Sequence, residues 1–600
     1  MQAGAASGLH ALQIACHALA HHEIDAALVG AVDLCCEPVT RAAGNTDPAD
    51  AAVAIVVKRL VDAERDGNRI YALLGTTGSG LRPHSTEASA GVAPDKIDEI
   101  AGDVRTRLGN AGAADGLLHL TAAAISLHHR RHLGGRPWLS AQPRRLRIPL
   151  PAAAAMELSE ATTHARRSES SLPRLRVYSG AGQAAVIAAL QANRSDNDGP
   201  SRLVLVCRDE EFEATRSRAL AHLQHGAPAG SSIHFRVAPI EGQLAFVFAG
   251  AGAAYAGMGA DLVTQLPQLL HTLAERSQHL ATALDWAFDP DCAQPTALQQ
   301  LWGASALSQL HLELSEGVLG LRADAWLGYS SGETNALVAA GVWNDPDALM
   351  DEMQTSGLVT HHLGGEFSAV QKQWNRPVRW ASWTVLAPVA DVRAALHGIE
   401  RVHLAIINGD ADCLIAGEES GCELLVERIG SNRCLRLIYP LAVHVPELAA
   451  MEAEWLQLHR RETRAPRHGR VYSNALGSAY APGRESCARA ILDQANRTLD
   501  LRPVVLRAWQ DGVRIFVEHG PGSTFARAIR GILGEREALV VSLDRKGQGI
   551  EGTLGAIAAL LAAGVPMRNE HLRDLLSPVP AKPAAQRPRG CCKSGPGSRP

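Results

Sequence analysis

The segment at residues 328–332 reads GYSSG and places Ser330 between two glycines. A strand-like segment, ADAWLGY, leads into it, and a helix-like segment, ETNALVAAGVW, follows it. In such a turn the glycines permit a close approach of neighbouring backbone, and the serine is raised at the C-terminal end of the strand. The helix N-terminus then faces the negative charge that develops on an attacked carbonyl oxygen. The pattern predicts that Ser330 is a nucleophile in acyl chemistry.

A serine nucleophile needs a base that takes its proton. His444 stands in the segment LAVHVPE, but it is one of 25 histidines. A single histidine is most often a surface residue or a satisfied core residue. The residue types by themselves therefore leave the role of His444 open.

Composition argues against several other classes of protein. The 600 residues carry 58 Lys and Arg against 62 Asp and Glu, a net charge of −4, and only 4% are aromatic. This balance argues against a nucleic-acid partner. No apolar run reaches the roughly 18 residues of a membrane span, and the N-terminus lacks the basic segment of a signal peptide. Eleven cysteines without a CxxC pair favour reduced thiols, a cytoplasmic location and no metal site.

Beyond residue 240 the chain alternates strand-like and helix-like segments, which is typical of an α/β fold. Its motifs resemble those of the malonyl/acyl-CoA:acyl-carrier-protein transacylases. GYSSGE resembles their GHSxGE motif, and AVHVPEL resembles the AFHSPLM segment in which a histidine pairs with the serine. Three further segments resemble the entry strand and loop FPGQGSQYxGMG, the strands AINxP and VVSG, and the FVEVGPG turn: residues 248–259, 407–417 and 516–522.

The resemblance implies an acyltransferase domain at residues 241–545, with an α/β-hydrolase-like core and an inserted ferredoxin-like subdomain at about 383–440. It implies that Ser330 attacks an acyl thioester while His444 acts as general base. Backbone N–H groups of Ala251 and Ser331 would bind the oxyanion. The acyl group would pass from CoA to the phosphopantetheine arm of an acyl carrier protein, with no bound cofactor.

The resemblance also marks three candidates for the substrate pocket: Tyr329, Thr355 and Asn408. Malonyl-selective members of the family carry an arginine 25 residues after the serine, and here that position is Thr355. A bidentate clamp for a carboxylate is therefore missing from its usual place. Site chemistry favours an uncharged acyl group, although malonyl and longer fatty acyl groups both stay open.

Residues 1–138 resemble the later part of a β-ketoacyl synthase, which has a thiolase-like fold. DAALVGAVDL and VAIVVKRLVDAERDGNRIYALL carry this resemblance. In register with the family, the active cysteine falls on Ala5 and a catalytic histidine falls on Asn110. The region is therefore expected to be truncated and inactive, and an unrelated α/β domain is the alternative.

Two further regions complete the expected organisation. Residues 139–240, with a Pro- and Arg-rich stretch and a small α/β segment, are expected to link the two domains. Residues 546–600 are expected to form a helix and a disordered tail. The order of domains resembles the acyltransferase subunits of type I polyketide synthases and bacterial polyunsaturated fatty acid synthases. Expected partners are acyl carrier protein and other synthase subunits, with a ketosynthase among the candidates.

Two alternatives to an acyltransferase stay open. The first is a serine hydrolase or thioesterase that acts on acyl thioesters. The second is a non-catalytic assembly subunit of a synthase, in which both domains have lost their activity.

Overall fold

The computed structural model describes residues 7–34, 49–77, 104, 106–140, 142–149, 155–161, 172–195, 198–568, 570 and 572. Ala5 and the C-terminal tail lie outside these residues. The chain divides into two compact units. Within the described ranges, no helix combines the length and the apolar character that a membrane span requires.

The first unit contains residues 1–135 and 143–170. Strands β1 and β2 form an antiparallel pair, and β3, β5 and β4 form an antiparallel sheet in that order. Its elements are α1 (Ser7–Ala20), β1 (Ala26–Asp33), β2 (Ala51–Lys58), α2 (Leu60–Arg65), β3 (Leu73–Thr77), α3 (Asp115–His129), β4 (Arg145–Pro149) and β5 (Ala155–Ser159).

The Pro- and Arg-rich stretch that we expected to be a linker instead forms β4 and β5. Leu146 and Leu158 are paired across the two strands, and both are buried. Apolar residues that alternate with polar ones give each strand one face for the core. The high Pro and Arg content of this stretch therefore hid the alternation of apolar and polar residues that is typical of a strand.

A buried carboxylate joins α3 to the segment before β4. Glu160 contacts the guanidinium of Arg130 at 2.5 Å and that of Arg144 at 2.8 Å, and all three side chains are nearly inaccessible. Burial by itself would raise the pKa of Glu160, but the two guanidinium groups hold it below its ordinary value. The first unit thus contains a buried ion pair that connects the residue after β5 with the residues after α3 and before β4.

The second unit contains residues 136–142 and 171–577. It begins with a three-stranded antiparallel sheet, in the order β6, β7, β8, covered by two helices. These elements are β6 (Arg174–Gly180), α4 (Gln183–Gln191), β7 (Ser201–Cys207), α5 (Phe212–His225) and β8 (Ile233–Arg236). The small α/β segment expected between the domains therefore packs as part of the second unit.

The main sheet of the second unit has six strands in the order β16-β15-β10-β9-β18-β19. All neighbours are parallel except β16, which pairs antiparallel with β15. Chain order reverses at β9, so the carboxyl ends of β9 and β10 form the crevice where parallel sheets bind ligands. The strands are β9 (Gln243–Phe248), β10 (Ala325–Gly328), β15 (Arg470–Ser473), β16 (Ser478–Tyr480), β18 (Val513–His519) and β19 (Leu539–Ser542).

A second sheet has the strand order β14-β11-β13-β12-β17; its strands β11 to β14 are inserted in the chain between β10 and β15, and β17 follows β16. Its first six elements run β-α-β-β-α-β, the ferredoxin-like order. They are β11 (Trp380–Val385), α13 (Val389–Ala395), β12 (Val402–Gly409), β13 (Asp412–Glu418), α14 (Glu419–Ile429) and β14 (Cys434–Arg436), followed later by β17 (Leu499–Asp500). The predicted α/β fold class is confirmed.

The remaining helices of the second unit surround these sheets. They are α6 (Ala260–Gln265), α7 (Pro267–Arg276), α8 (Gln278–Thr282), α9 (Ala297–Leu312), α10 (Gly332–Ala339), α11 (Pro346–Ser356), α12 (Ser368–Trp374), α15 (Glu452–His459), α16 (Arg484–Ala495), α17 (Leu501–Gln510), α18 (Thr524–Leu533) and α19 (Gly549–Ala562).

The ion pair of the first unit makes a direct prediction. Glu160→Gln leaves two buried guanidinium groups without their carboxylate, so the unit should lose about 3 kcal/mol of stability. Amide hydrogen exchange should accelerate in β4 and β5 and stay unchanged in β9. Glu157→Gln is the matched control, because Glu157 lies on β5 in a half-exposed pair with Arg145. Equal exchange in the two variants would contradict the prediction.

Candidate active site

The turn between β10 and α10 holds Ser330 in a left-handed backbone conformation, with φ of +55°. A Cβ added at Gly328 would lie 2.0 Å from the backbone nitrogen of Glu333. One added at Gly332 would lie 2.1 Å from the carbonyl oxygen of Phe248 on β9. Both flanking positions therefore require glycine, and the close packing fixes the serine at the crevice.

His444 lies directly against this serine. Its Nε2 is 2.7 Å from Ser330 Oγ, and its Nδ1 is 2.6 Å from the carbonyl oxygen of Gln494 at the end of α16. A carbonyl can only accept, so Nδ1 carries the proton and Nε2 accepts from the serine hydroxyl. Burial lowers the pKa of His444 to about 4, which keeps the imidazole neutral at physiological pH. His444 also has a positive φ, of +60°.

A buried polar network supports the pair. Asn474 donates through Nδ2 to the carbonyl oxygen of Gly328 and to Glu333 Oε2, both at 2.8 Å. Gln494 donates through Nε2 to the carbonyl oxygen of Ser330 at 3.3 Å. Burial raises the pKa of Glu333 to about 7. No sequence motif marks Asn474 or Gln494, and only the final glutamate of GYSSGE points to this network.

The two residues expected to bind an oxyanion lie side by side. Ser331 precedes the first turn of α10, so its backbone N–H belongs to the helix N-terminus. The backbone N–H of Ala251 donates to the side-chain oxygen of Ser331 at 2.9 Å. The structure therefore brings Ala251 and Ser331 together, but with the Ser331 hydroxyl on the Ala251 donor.

Tyr329 and Asn408 contact each other rather than the cavity. The Tyr329 hydroxyl donates to Asn408 Oδ1 at 3.0 Å, and Asn408 Nδ2 donates to Asp412 Oδ1 at 2.8 Å. Burial raises the pKa of Tyr329. These contacts join the serine turn to the β12–β13 hairpin of the inserted sheet, so the pair holds the two sheets together at the site.

Thr355 lies on the exposed face of α11 and does not line the cavity. Met353, two residues earlier, is buried and lines it. Residues two apart on a helix point about 200° apart, so a small difference in helix position moves a side chain to the opposite face. Counting residues from the serine selected Thr355, and the structure differs from that expectation.

A cavity of about 600 Å³, open mouth included, extends from Ser330 and His444. Seven aliphatic or thioether side chains line it: Leu301, Met353, Val359, Leu441, Val443, Ile491 and Ala495. Trp302, Tyr439 and Trp455 add aromatic surface, and Ser305, Thr334 and His459 add polar groups. No described lining residue is Lys, Arg, Asp or Glu. Within the described ranges, no cluster of three or more His, Cys, Asp or Glu could hold a metal ion.

The tight turn predicts a large cost for a single methyl group. Gly332→Ala should lower the free energy of unfolding of the second unit by about 3 kcal/mol, because the new Cβ overlaps the Phe248 carbonyl. Tryptophan fluorescence reports on this unit alone, since all ten tryptophans lie in it. Gly531→Ala, inside α18 and facing open space, is the matched control and should be neutral or stabilising. Equal stabilities of the two variants would show that the turn is not constrained.

Two protein families match this chain. The Acyl transferase domain matches residues 245–566, and the Beta-ketoacyl synthase, N-terminal domain, matches residues 1–62. The second match bears out the ketosynthase resemblance for residues 1–62.

Curated relatives are much longer than this chain. It is 25% identical over 431 residues to Erythronolide synthase EryA2 of Saccharopolyspora erythraea. This match covers 68% of this chain and 11% of the relative. It is 23% identical over 372 residues to one of the subunits of a polyunsaturated fatty acid synthase of Thraustochytrium sp., covering 56% and 18%. The chain thus spans less than a fifth of either relative.

Among solved structures, the acyltransferase domain from module 8 of the salinomycin polyketide synthase superposes with a TM-score of 0.54 at 19% identity. The match covers 66% of this chain and 98% of that domain, and it shows a shared fold. The family match extends over more than half of the residues and includes the strand, turn and helix that carry Ser330. The chain belongs to the acyl transferase domain family.

Proposed function

We propose that this chain transfers an acyl group between CoA and an acyl carrier protein through an acyl-serine intermediate, in polyketide or polyunsaturated fatty acid synthesis. The observation that carries the proposal is the 2.7 Å contact between Ser330 Oγ and Nε2 of a buried, neutral His444. A neutral imidazole with a free lone pair is the protonation state that a general base needs.

In the first half-reaction Ser330 Oγ attacks the thioester carbonyl while His444 Nε2 takes the hydroxyl proton. An ester bond forms to Oγ, the carbon–sulfur bond breaks, and the CoA thiolate leaves with the proton that His444 returns. In the second half-reaction His444 takes a proton from the phosphopantetheine thiol, whose sulfur attacks the ester. Ser330 then recovers its proton, and no other reactant is consumed.

The imidazolium that forms in each half-reaction is stabilised through the Gln494 carbonyl, which accepts from Nδ1. The oxyanion lies at the N-terminus of α10, where the backbone N–H of Ser331 is a donor. The Ala251 N–H is the second donor when the Ser331 hydroxyl leaves it. Two donors at a developing oxyanion are the arrangement that this chemistry uses.

The cavity supports an uncharged acyl group. A malonyl carboxylate would enter a space whose described walls carry no cation, and an unpaired buried charge is strongly unfavourable. Aliphatic and aromatic walls instead gain from contact with a hydrocarbon chain. Malonyl transfer is therefore the less favoured of the two substrate classes.

The two other candidate functions have weaker support. A hydrolase triad places a carboxylate on the second nitrogen of its histidine, whereas His444 Nδ1 faces a backbone carbonyl. A non-catalytic subunit would have no need of a strained serine and a strained histidine that contact each other. We therefore favour transfer over both.

The remaining features of the chain fit a place among other synthase components. We propose that residues 1–138 belong to an inactive ketosynthase-like region, that residues 241–545 are the acyltransferase domain, and that a separate ketosynthase is a partner. The free cysteines of the described residues suit a cytoplasmic location.

The nucleophile is tested by replacement. Ser330→Ala should abolish the mass increase of the protein on exposure to acyl-CoA, because no other hydroxyl contacts Nε2 of His444 among the described residues. Intact-mass spectrometry measures the adduct. Ser217→Ala, on α5, is the control and should acylate normally. A persistent adduct on Ser330→Ala would place the nucleophile elsewhere.

The pH dependence tests the base. The pKa of His444 lies below the ordinary value, so the neutral form is lost only as pH falls through about 4. The single-turnover acylation rate at pH 5.5 should therefore stay within about twofold of its value at pH 7.5. An ordinary histidine would be only about one-tenth neutral at pH 5.5, so a tenfold fall would contradict this prediction. Tryptophan fluorescence at both pH values checks that the second unit stays folded.

The substrate class is tested by adding a cation. Met353→Arg places a guanidinium on the cavity wall and should raise the ratio of malonyl to hexanoyl acylation at least about tenfold. Thr355→Arg is the matched control and should leave the ratio unchanged, because that side chain is exposed. An increase with Thr355→Arg and none with Met353→Arg would show that Thr355, and not Met353, lines the pocket.

A further inference from the structure

His459 is the one imidazole besides His444 among the described residues that line the cavity. It is the last residue of α15 and is 2% exposed. Its ring lies 5.1 Å from that of Trp455 and 6.1 Å from that of Trp343, centroid to centroid. Two indoles thus hold this polar ring in the cavity wall.

Helix geometry fixes the protonation of this ring. His459 Nδ1 is 2.7 Å from the carbonyl oxygen of Trp455, one turn earlier in α15. That oxygen can only accept, so Nδ1 carries the hydrogen and Nε2 carries a lone pair. Burial lowers the pKa of His459 to about 4, so a second proton is not bound at neutral pH.

The lone pair on Nε2 has no hydrogen-bond partner among the described residues. Nε2 is not one of the fully buried side-chain atoms that lack a partner, so it is reachable from the cavity, and a ligand there that carries a donor can form a hydrogen bond to it. A carboxylate cannot do so, because it has only lone pairs itself. A methylene group leaves the acceptor unsatisfied, whereas a hydroxyl can donate to it.

We propose that the cavity selects an uncharged acyl chain that carries a hydroxyl group, and that this hydroxyl donates to His459 Nε2. The inference rests on the proposed acyl transfer to Ser330 and names its substrate class. It makes His459 a specificity-determining residue, separate from the serine and histidine that react. The acyl thioester would come from a reaction that reduces a ketone to an alcohol and leaves that alcohol in place.

The test measures acylation of Ser330 by CoA thioesters of one chain length: hexanoyl, 3-hydroxyhexanoyl and 5-hydroxyhexanoyl, with malonyl as the charged comparison. At least one hydroxy isomer should acylate about tenfold faster than hexanoyl. The O-methyl ether of that isomer keeps the oxygen but has no hydrogen to donate, so its advantage should disappear. Equal rates for hexanoyl and both hydroxy isomers, or a full advantage for the ether, would overturn the proposal.

The variant His459→Phe keeps a planar ring without the acceptor, and the ratio of hydroxyhexanoyl to hexanoyl acylation should fall to about 1. His397→Phe, at an exposed position, is the control and should keep the wild-type ratio. A ratio that survives in His459→Phe would overturn the role of Nε2. The ether comparison needs no variant and decides the matter if His459→Phe does not fold. Absence of every Ser330 adduct would overturn the proposed acyl transfer itself, which is a different outcome from equal rates.

Discussion

The hydrogen bond from His444 Nδ1 to the Gln494 carbonyl orients the chemistry of this domain. It leaves Nε2 as the acceptor for the serine and holds the ring at 2.7 Å from Oγ. The same glutamine donates through its side chain to the carbonyl oxygen of Ser330. One residue at the end of α16 therefore positions both members of the pair. The arrangement needs no third carboxylate, because a carbonyl dipole in a buried site can stabilise an imidazolium that lasts only through the reaction.

Two buried carboxyl groups organise the edge of the sheet around this pair. Glu333 contacts Asn474 behind the serine turn. Glu518, at the end of β18, accepts from the backbone N–H groups of Phe525 and Ala526 in the first turn of α18. Burial raises the pKa of Glu333 to about 7 and that of Glu518 to about 8. Each carboxyl satisfies backbone or amide donors that a close strand-to-helix turn would otherwise leave buried without partners.

The sequence could predict the parts of the site that depend on residue type. Ser330 requires flanking glycines, and those glycines leave a readable pattern. A histidine alone does not identify a base, and His444 could be recognised only because the residues around it, AVHVPEL, resemble a family motif. Gln494 acts on His444 through a backbone carbonyl, which every residue type possesses, so no pattern could mark it. Thr355 was expected in the pocket because of its distance along the chain from Ser330. That distance does not determine which face of α11 points toward the cavity.

The fold was predictable at the level of alternating elements and less so at their ends. The inserted sheet, expected at about 383–440, begins at Trp380 and has Arg436 as the last residue of β14. Leu146 and Leu158 are buried in strands where proline and arginine indicated a linker. Local composition reports the average environment of a segment, whereas a strand is decided by the few residues that face the core. Short strands with mixed composition are therefore the elements that are hardest to predict from sequence.

In the first unit, the side chains that stabilise the fold are not those at the expected catalytic positions. Asn110, where the family resemblance expects a catalytic histidine, instead accepts from the Gly112 backbone N–H through Oδ1 and from the Ala49 N–H through its carbonyl. It thus serves as a turn residue, a role that asparagine fills well. In the same unit, a buried Glu160 keeps two guanidinium partners, although such a triad is costly to bury and is strongly destabilising when it is incomplete. This triad holds the first unit together as a packed structure, a role that does not depend on the side chains at the positions where the family resemblance expects catalysis.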